Sequence, residues 1–177
     1  MKTEFEVRIL NINVEEITKK LKSLNAKFLG EKLQRRYVYN LLDKKDDSFL
    51  RLRTNGDFST LTFKEMKFDG VDGTKEVEVK VSSFEDTKVI LEKIGYFPLT
   101  YQENKRRSYL LDGVEIEIDF WPNIPAYLEV ECKSKDDVLK TLDLIGFSLA
   151  DSTTASILNI YKKYGIDLHE CKELKFE

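Results

Sequence analysis

A five-residue pattern of acid, apolar, acid, apolar, base occurs three times in this chain. The copies are Glu4-Phe5-Glu6-Val7-Arg8, Glu76-Val77-Glu78-Val79-Lys80 and Glu129-Val130-Glu131-Cys132-Lys133. Successive side chains of a strand point to opposite faces, so each copy puts two carboxylates and a cation on one face and apolar groups on the other. An amphipathic helical pattern follows each copy, through Val14, Ile17, Leu21 and Leu24, then Val89, Ile90, Leu91 and Ile94, then Val138, Leu139, Leu142 and Ile145. Each pattern ends at a small residue or turn and an aromatic: Ala26 with Phe28, Gly95 with Tyr96, Gly146 with Phe147. The copies are unevenly spaced, with other strand-like segments between them. This argues for quasi-symmetry inside one sheet and against a solenoid of fixed period.

The remaining segments read as strands and turns. The first helix is expected over about residues 14 to 25, with Asn13 as N-cap and Glu15 and Glu16 in its first turn. Ser83 with Asp86, and Ser134 with Asp137, have the spacing of capping boxes for the second and third. Strands are expected at about 34–42, 49–53, 59–67, 102–111 and 114–120, joined by turns at Asp43 to Ser48, Asn55-Gly56-Asp57, Asp69 to Gly73 and Asp112-Gly113. A fourth helical pattern through Ile157, Ile160 and Tyr161 ends at Gly165.

About eight strands therefore carry charge on one face and β-branched or aromatic residues on the other. A sandwich would turn the apolar faces toward each other and leave the helices no apolar sheet surface to cover. Closure removes the conflict, because about eight strands make a barrel whose interior holds side chains or a small ligand, with helices outside. The expected fold is α+β: an eight-stranded antiparallel closed barrel with a charged lumen, in a single domain over residues 1–177.

Charge in a lumen needs partners, since an unpaired buried ion costs several kcal/mol. Clustered carboxylates suit Mg2+ or Mn2+, while arginine and lysine suit phosphate oxygens. Together they describe a site for a polyphosphate with its metal. With 29 basic against 32 acidic residues and no aromatic-interleaved basic stripe, the composition argues against a nucleic-acid partner. No run approaches the roughly 20 apolar residues of a membrane span, and the charged start at Met1-Lys2-Thr3-Glu4 carries no apolar leader. Cys132 and Cys171 have neither metal nor disulfide-framework spacing, which suits a reducing cytoplasm. Cys132 is expected in the core, Trp121 and Tyr127 in packing at a barrel end, and His169, the only histidine, exposed in the tail and inert.

The ordered set Glu4-x-Glu6-x-Arg8, Arg51-x-Arg53, Leu61-Thr62-Phe63-Lys64, Lys75-Glu76-x-Glu78, Lys105-Arg106-Arg107, Asp119 and Glu129-x-Glu131 resembles the CYTH superfamily. These are the triphosphate tunnel metalloenzymes, among them class IV adenylate cyclases and thiamine or inorganic triphosphatases. The resemblance implies an eight-stranded tunnel that binds a triphosphate with divalent metal. It implies Glu4, Glu6, Glu129, Glu131 and Glu78 as metal ligands, and Arg8, Arg51, Arg53, Lys64 and Arg106 as phosphate ligands. Asp119, Lys64 and Arg53 are the implied catalytic residues. Alternation lets only one of Arg106 and Arg107 face inward. Arg8 stands where the family usually has lysine, Lys75 where arginine is common, and Trp121 to Tyr127 replaces the glycine-aromatic pair of the cyclases. The activity implied is metal-dependent triphosphate hydrolysis, with cyclisation of ATP to cyclic AMP and pyrophosphate, or binding without turnover, as the alternatives. The partner implied is a small-molecule triphosphate, with homodimerisation open.

Overall fold

A sheet charged on one side and apolar on the other must give both faces a suitable medium. The computed structural model, which describes residues 1–41, 48–66 and 70–177, does so by closing. The elements are β1 (Lys2–Ile9), α1 (Val14–Ser23), β2 (Lys27–Asn40), β3 (Ser48–Thr54), β4 (Ser59–Met66), β5 (Thr74–Val81), α2 (Phe84–Lys93), β6 (Thr100–Leu111), β7 (Val114–Phe120), β8 (Tyr127–Cys132), α3 (Lys135–Ile145), a 3-10 turn (Leu149–Asp151), α4 (Ile157–Lys163) and β9 (Glu173–Leu174). The strand order is β2-β3-β4-β5-β1-β8-β7-β6, with β2 and β6 pairing to close the ring, every pair antiparallel.

The three repeated units are β1 with α1, β5 with α2 and β8 with α3. Their caps are built alike: Asn13, Ser83 and Ser134 each accept a first-turn backbone N–H. At the other end Asn25 (φ 58°), Gly95 (φ 95°) and Gly146 (φ 90°) take the left-handed conformation. Ala26, Tyr96 and Phe147 then donate back to the carbonyls of Leu21, Leu91 and Leu142. This six-to-one closure explains why a small residue and then an apolar one ends each helix.

The apolar face of the ring is the outer one. Val7, Ile9, Ile116, Ile118, Leu128, Val130 and Cys132 form a core with Ile17 and Leu21 of α1 and Val138, Leu142 and Ile145 of α3. A smaller core places Phe84 and Leu91 of α2 over Tyr39 and Leu52. A third, of Trp121, Tyr127, Tyr161, Leu168 and Leu174, covers one end of the barrel with α4 and the tail.

Two elements depart from the expected strands. β2 starts at Lys27 and not near residue 34, because it pairs along β6 from Lys27 to Val38 through a bulge at Gly30 (φ 130°) that breaks its alternation. β9 joins Tyr101 and Gln102 in parallel, on the edge of β6 that β7 leaves open before Lys105. A two-residue strand has no periodicity to read. Of the expected turns, residues 43–47 and Asp69 lie outside the described residues, as do the last residues, 42 and 67, of two expected strands.

Candidate active site in the barrel lumen

Alternation sends one side chain in two from every barrel strand inward, and these line a cavity of about 810 Å³. That is ample for a nucleotide-sized or smaller ligand. Each sequence-derived site residue other than Asp119 borders it; Asp119 is fully buried in the wall behind Arg106. Arg106 faces inward and Arg107 outward, where it pairs with Glu31 and lies 4.9 Å over the Phe120 ring, so the choice between them is settled.

The charges sort by wall. Across β1, β6, β7 and β8, Arg8 on β1 and Arg106 on β6 between them serve four carboxylates. Arg8 donates to Glu6 at 2.9 Å and to Glu129 at 2.8 Å. Arg106 donates to Asp119 at 2.8 Å, to Glu129 at 2.9 Å, and also pairs with Glu117. Burial works against ionising Glu129, yet Arg8 and Arg106 hold its carboxyl well below the usual range. Glu117 goes the other way. Burial, only partly offset by the shared Arg106, and repulsion from Glu129 and Asp119 push it up to about 7. One guanidinium cannot neutralise three acids.

Lys64 on β4 donates to both oxygens of Glu4, at 3.0 and 2.8 Å, and stands 3.5 Å from Glu76. Burial raises the Glu4 carboxyl, with Lys64 opposing and Glu76 adding to the rise. Glu131, opposite Glu6 on β1 and opposite Glu115 on β7, is raised by burial and then by Glu4 and Glu129.

On β2 and β3 the balance reverses. Arg51 and Arg53 share Glu78, at 3.7 and 3.6 Å. Burial notwithstanding, the Thr62 hydroxyl and the two arginines hold Glu78 below its ordinary value. The structure thus sets Glu78 among the arginines, apart from the β1 and β8 carboxylates. Repulsion from Arg51, followed by burial and Arg106, pushes Arg53 down to about 10.

Sequence reasoning missed Arg36, which lies directly opposite Arg53 across the β2–β3 ladder. It is 7% exposed, its guanidinium lies 4.7 Å from the Trp121 ring centre, and it donates to the amide oxygens of Gln34 and Asn104. Burial, then Arg51, Arg53 and Arg106, lowers its pKa well below the arginine norm. The alternation Gln34, Arg36, Val38 gave a signal, but one that only the neighbouring strands make legible. Trp121 and Tyr127 do pack at a barrel end, and Cys132 is buried. His169 is exposed and also borders the cavity, at the end the tail covers.

Among the described residues no three acidic side chains converge into a formed metal cluster, because Glu4 is turned to Lys64 and Glu6 to Arg8. The donor chemistry nonetheless fits a hard divalent cation. Glu4, Glu6, Glu129 and Glu131 offer only carboxylate oxygens, and the repulsion that adds to burial in raising Glu131 is what a divalent charge relieves.

The CYTH domain family model matches residues 2–145. A Methanocaldococcus jannaschii protein provisionally named an adenylate cyclase, MJ0240, is 28% identical over 139 residues, covering 76% of this chain and 79% of that protein. Among solved structures, the Pyrococcus horikoshii protein PH1012 matches with a TM-score of 0.75 at 22% identity, over 86% of this chain and 96% of its own. Hippeastrum HpAC1, provisionally an adenylyl cyclase and described as having a dominant triphosphatase activity, matches with a TM-score of 0.62 at 16% identity, over 97% and 100%.

Proposed function

This chain belongs to the CYTH domain family, and from that premise we propose that it is a divalent-metal-dependent enzyme that hydrolyses a triphosphate bound in the barrel. The observation that carries this reading is the partition of charge across one cavity. One wall has more carboxylates than cations, while on the other Arg51 and Arg53 share a single glutamate, Glu78, and Arg36 lies opposite Arg53.

Glu4, Glu6, Glu129 and Glu131 are the residues to hold Mg2+ or Mn2+. The ion supplies Lewis-acid neutralisation of phosphate oxygens. The protein's own groups do the rest. Arg51 and Arg53 take phosphoryl oxygens with planar forks, and Lys64, fixed between Glu4 and Glu76, presents a point charge to the same chain. Arg106 reaches the phosphates from β6. Asp119 accepts from both Arg106 and Asn104 and so acts as a positioning residue for them. Arg8, engaged by Glu6, Glu129 and the Ala155 carbonyl at 3.1 Å, serves mainly to orient carboxylates. Water attacks the terminal phosphorus in line, the bond to the bridging oxygen breaks, and the arginines neutralise the charge that gathers on the leaving diphosphate.

Cyclisation of ATP is the second reading, favoured by the name of the M. jannaschii relative and by a cavity able to take a nucleotide. Hydrolysis is preferred because the Trp121 face is covered by Arg36 and is not open to stack a base. The test is incubation with Mg2+ or Mn2+ and, separately, ATP, thiamine triphosphate and inorganic tripolyphosphate, with products resolved by phosphorus NMR. Orthophosphate and a diphosphate product are expected, and chelation of the metal should abolish both. Cyclic AMP with pyrophosphate from ATP would replace this reading with the cyclase. Tight binding without product would make the protein a sensor.

A further inference from the structure

The pairing of β1 with β5 is short. It runs from Glu4 opposite Thr74 to Lys2 opposite Glu76, and β5 then continues over residues 77–81 with no strand on that side among the described residues. The other side of the same segment is fully paired with β4. Which backbone groups the open edge presents follows from β1. The N–H groups of Glu6 and Arg8 turn away from β8, to the carbonyls of Val71 and Thr153, so by alternation those of Lys2 and Glu4 face β5. Their partners Glu76 and Thr74 face β1 in return, and two residues on, Glu78 and Lys80 present their N–H and C=O groups to the open edge. On the outer face Val77 and Val79 are 49% and 53% exposed and join none of the three cores. Lys80 lies 5.2 Å over the Phe58 ring and has no carboxylate partner among the described residues.

We propose that this edge is a docking surface for a second copy of the chain, which adds its own residues 77–81 antiparallel across a two-fold axis at Val79. Inward-pointing charges such as Glu78 and Lys80 are how sheets turn most strands away from an open edge. Here they select the same sequence. Turned about Val79, the second β5 sets its Lys80 opposite Glu78 and its Glu78 opposite Lys80, so opposite charges meet twice. These are also the residues whose backbone groups face the edge, so each charged pair exchanges both of its hydrogen bonds. The outer face then places Val79 beside Val79 and Val77 beside Val81, covering the valines the single barrel leaves in water. A shift of the axis by one residue either way sets Glu78 against Glu78 or Lys80 against Lys80. The surface does not depend on the triphosphate reading, but it adjoins the lumen, because Glu78 is the carboxylate that Arg51 and Arg53 share.

The experiment is sedimentation velocity of the full chain over a range of concentrations, with amide hydrogen exchange followed by NMR on the same samples. A short edge makes a small interface of the transient kind, so a dissociation constant in the micromolar range or weaker is expected. The amides of Glu78 and Lys80 should gain protection as concentration rises. Lys80→Glu and Glu78→Lys each set like charges opposite one another at both pairs, and each should weaken the dimer by at least about tenfold. Mixed, the two variants restore opposite charges at both pairs and should associate with each other about as tightly as wild type with itself. Val79→Glu, at an exposed position on the outer face, brings two carboxylates together at the axis and should weaken the dimer in the same way, in a chain whose circular dichroism matches wild type. Wild type that stays monomeric at millimolar concentration overturns the proposal. A dimer that survives both Lys80→Glu and Val79→Glu overturns it by placing the contact elsewhere. Folded single variants that fail to associate when mixed overturn it too, since complementary charge at Glu78 and Lys80 is what selects the partner.

Discussion

Replacing Glu117 by Gln should make the protein more stable at pH 8 and leave it unchanged near pH 4. Glu117 lies on β7, 9% exposed, accepts from Ser108 at 3.1 Å, and shares Arg106 with Asp119 and Glu129. Burial and its acidic neighbours put its pKa at about 7, against 4.5 for an ordinary glutamate. The folded state therefore holds a proton that the unfolded chain has released between pH 4.5 and 7. Its contribution to stability is full below about pH 4.5, falls as pH rises, and is gone above about pH 7. A shift from 4.5 to about 7, at about 1.4 kcal/mol per pH unit, makes the loss up to about 3 kcal/mol. Gln has the same shape, stays neutral and keeps an acceptor for Ser108 and Arg106, so it should not suffer that loss. The assay is urea unfolding of both proteins in chelator from pH 4 to 8.5. The two curves of stability against pH should coincide at the acid end and separate through pH 5–7. Parallel curves, or a variant less stable at pH 8, would refute the reasoning that one guanidinium leaves Glu117 under-neutralised.

Arg106→Lys should lower kcat/KM for tripolyphosphate by at least about tenfold, because a lysine cannot bridge Asp119, Glu117 and Glu129 in one plane. Arg107→Lys, an exposed pair with Glu31, should change it less than twofold, and equal losses would contradict the assigned facing. Leu142→Ala on α3, 1% exposed in the largest core, should cost about 3 kcal/mol by denaturant unfolding with activity retained by the folded fraction. Gly146→Ala, at φ 90° where α3 ends, should cost about 1 kcal/mol, and a smaller cost than at an exposed strand position would count against the left-handed cap.

Much of the fold was legible because it depends on local alternation. The period of two in Glu4 to Arg8, Glu76 to Lys80 and Glu129 to Lys133 sets which side chains share a face. The helices that follow then require the apolar face to be outermost, and closure is the remaining solution. The caps at Asn13, Ser83 and Ser134 were readable for the same reason, since each acts within one turn of chain. The ordered charged motifs also named the residues that border the cavity, and Asp119 behind them.

What a charge meets across the lumen is a matter of register between strands far apart in the chain, and alternation carries no register. The pairing of Arg36 with Arg53 on β3 and Gln102 on β6 is what turns an unremarked Gln-Arg-Arg segment into part of the site. Register across β3, β4 and β5, with Thr62 opposite both Arg51 and Glu78, put Glu78 with the arginines and not with Glu4 and Glu6. Register between β6 and β7, with Arg106 opposite Asp119, decided between Arg106 and Arg107, and β9 joined the tail to β6 at Tyr101 and Gln102. The residues of the lumen were determined by sequence, and their partnerships by the closed barrel, because a carboxylate's charge state depends on the cations within a few ångströms of it and not on its neighbours in the chain.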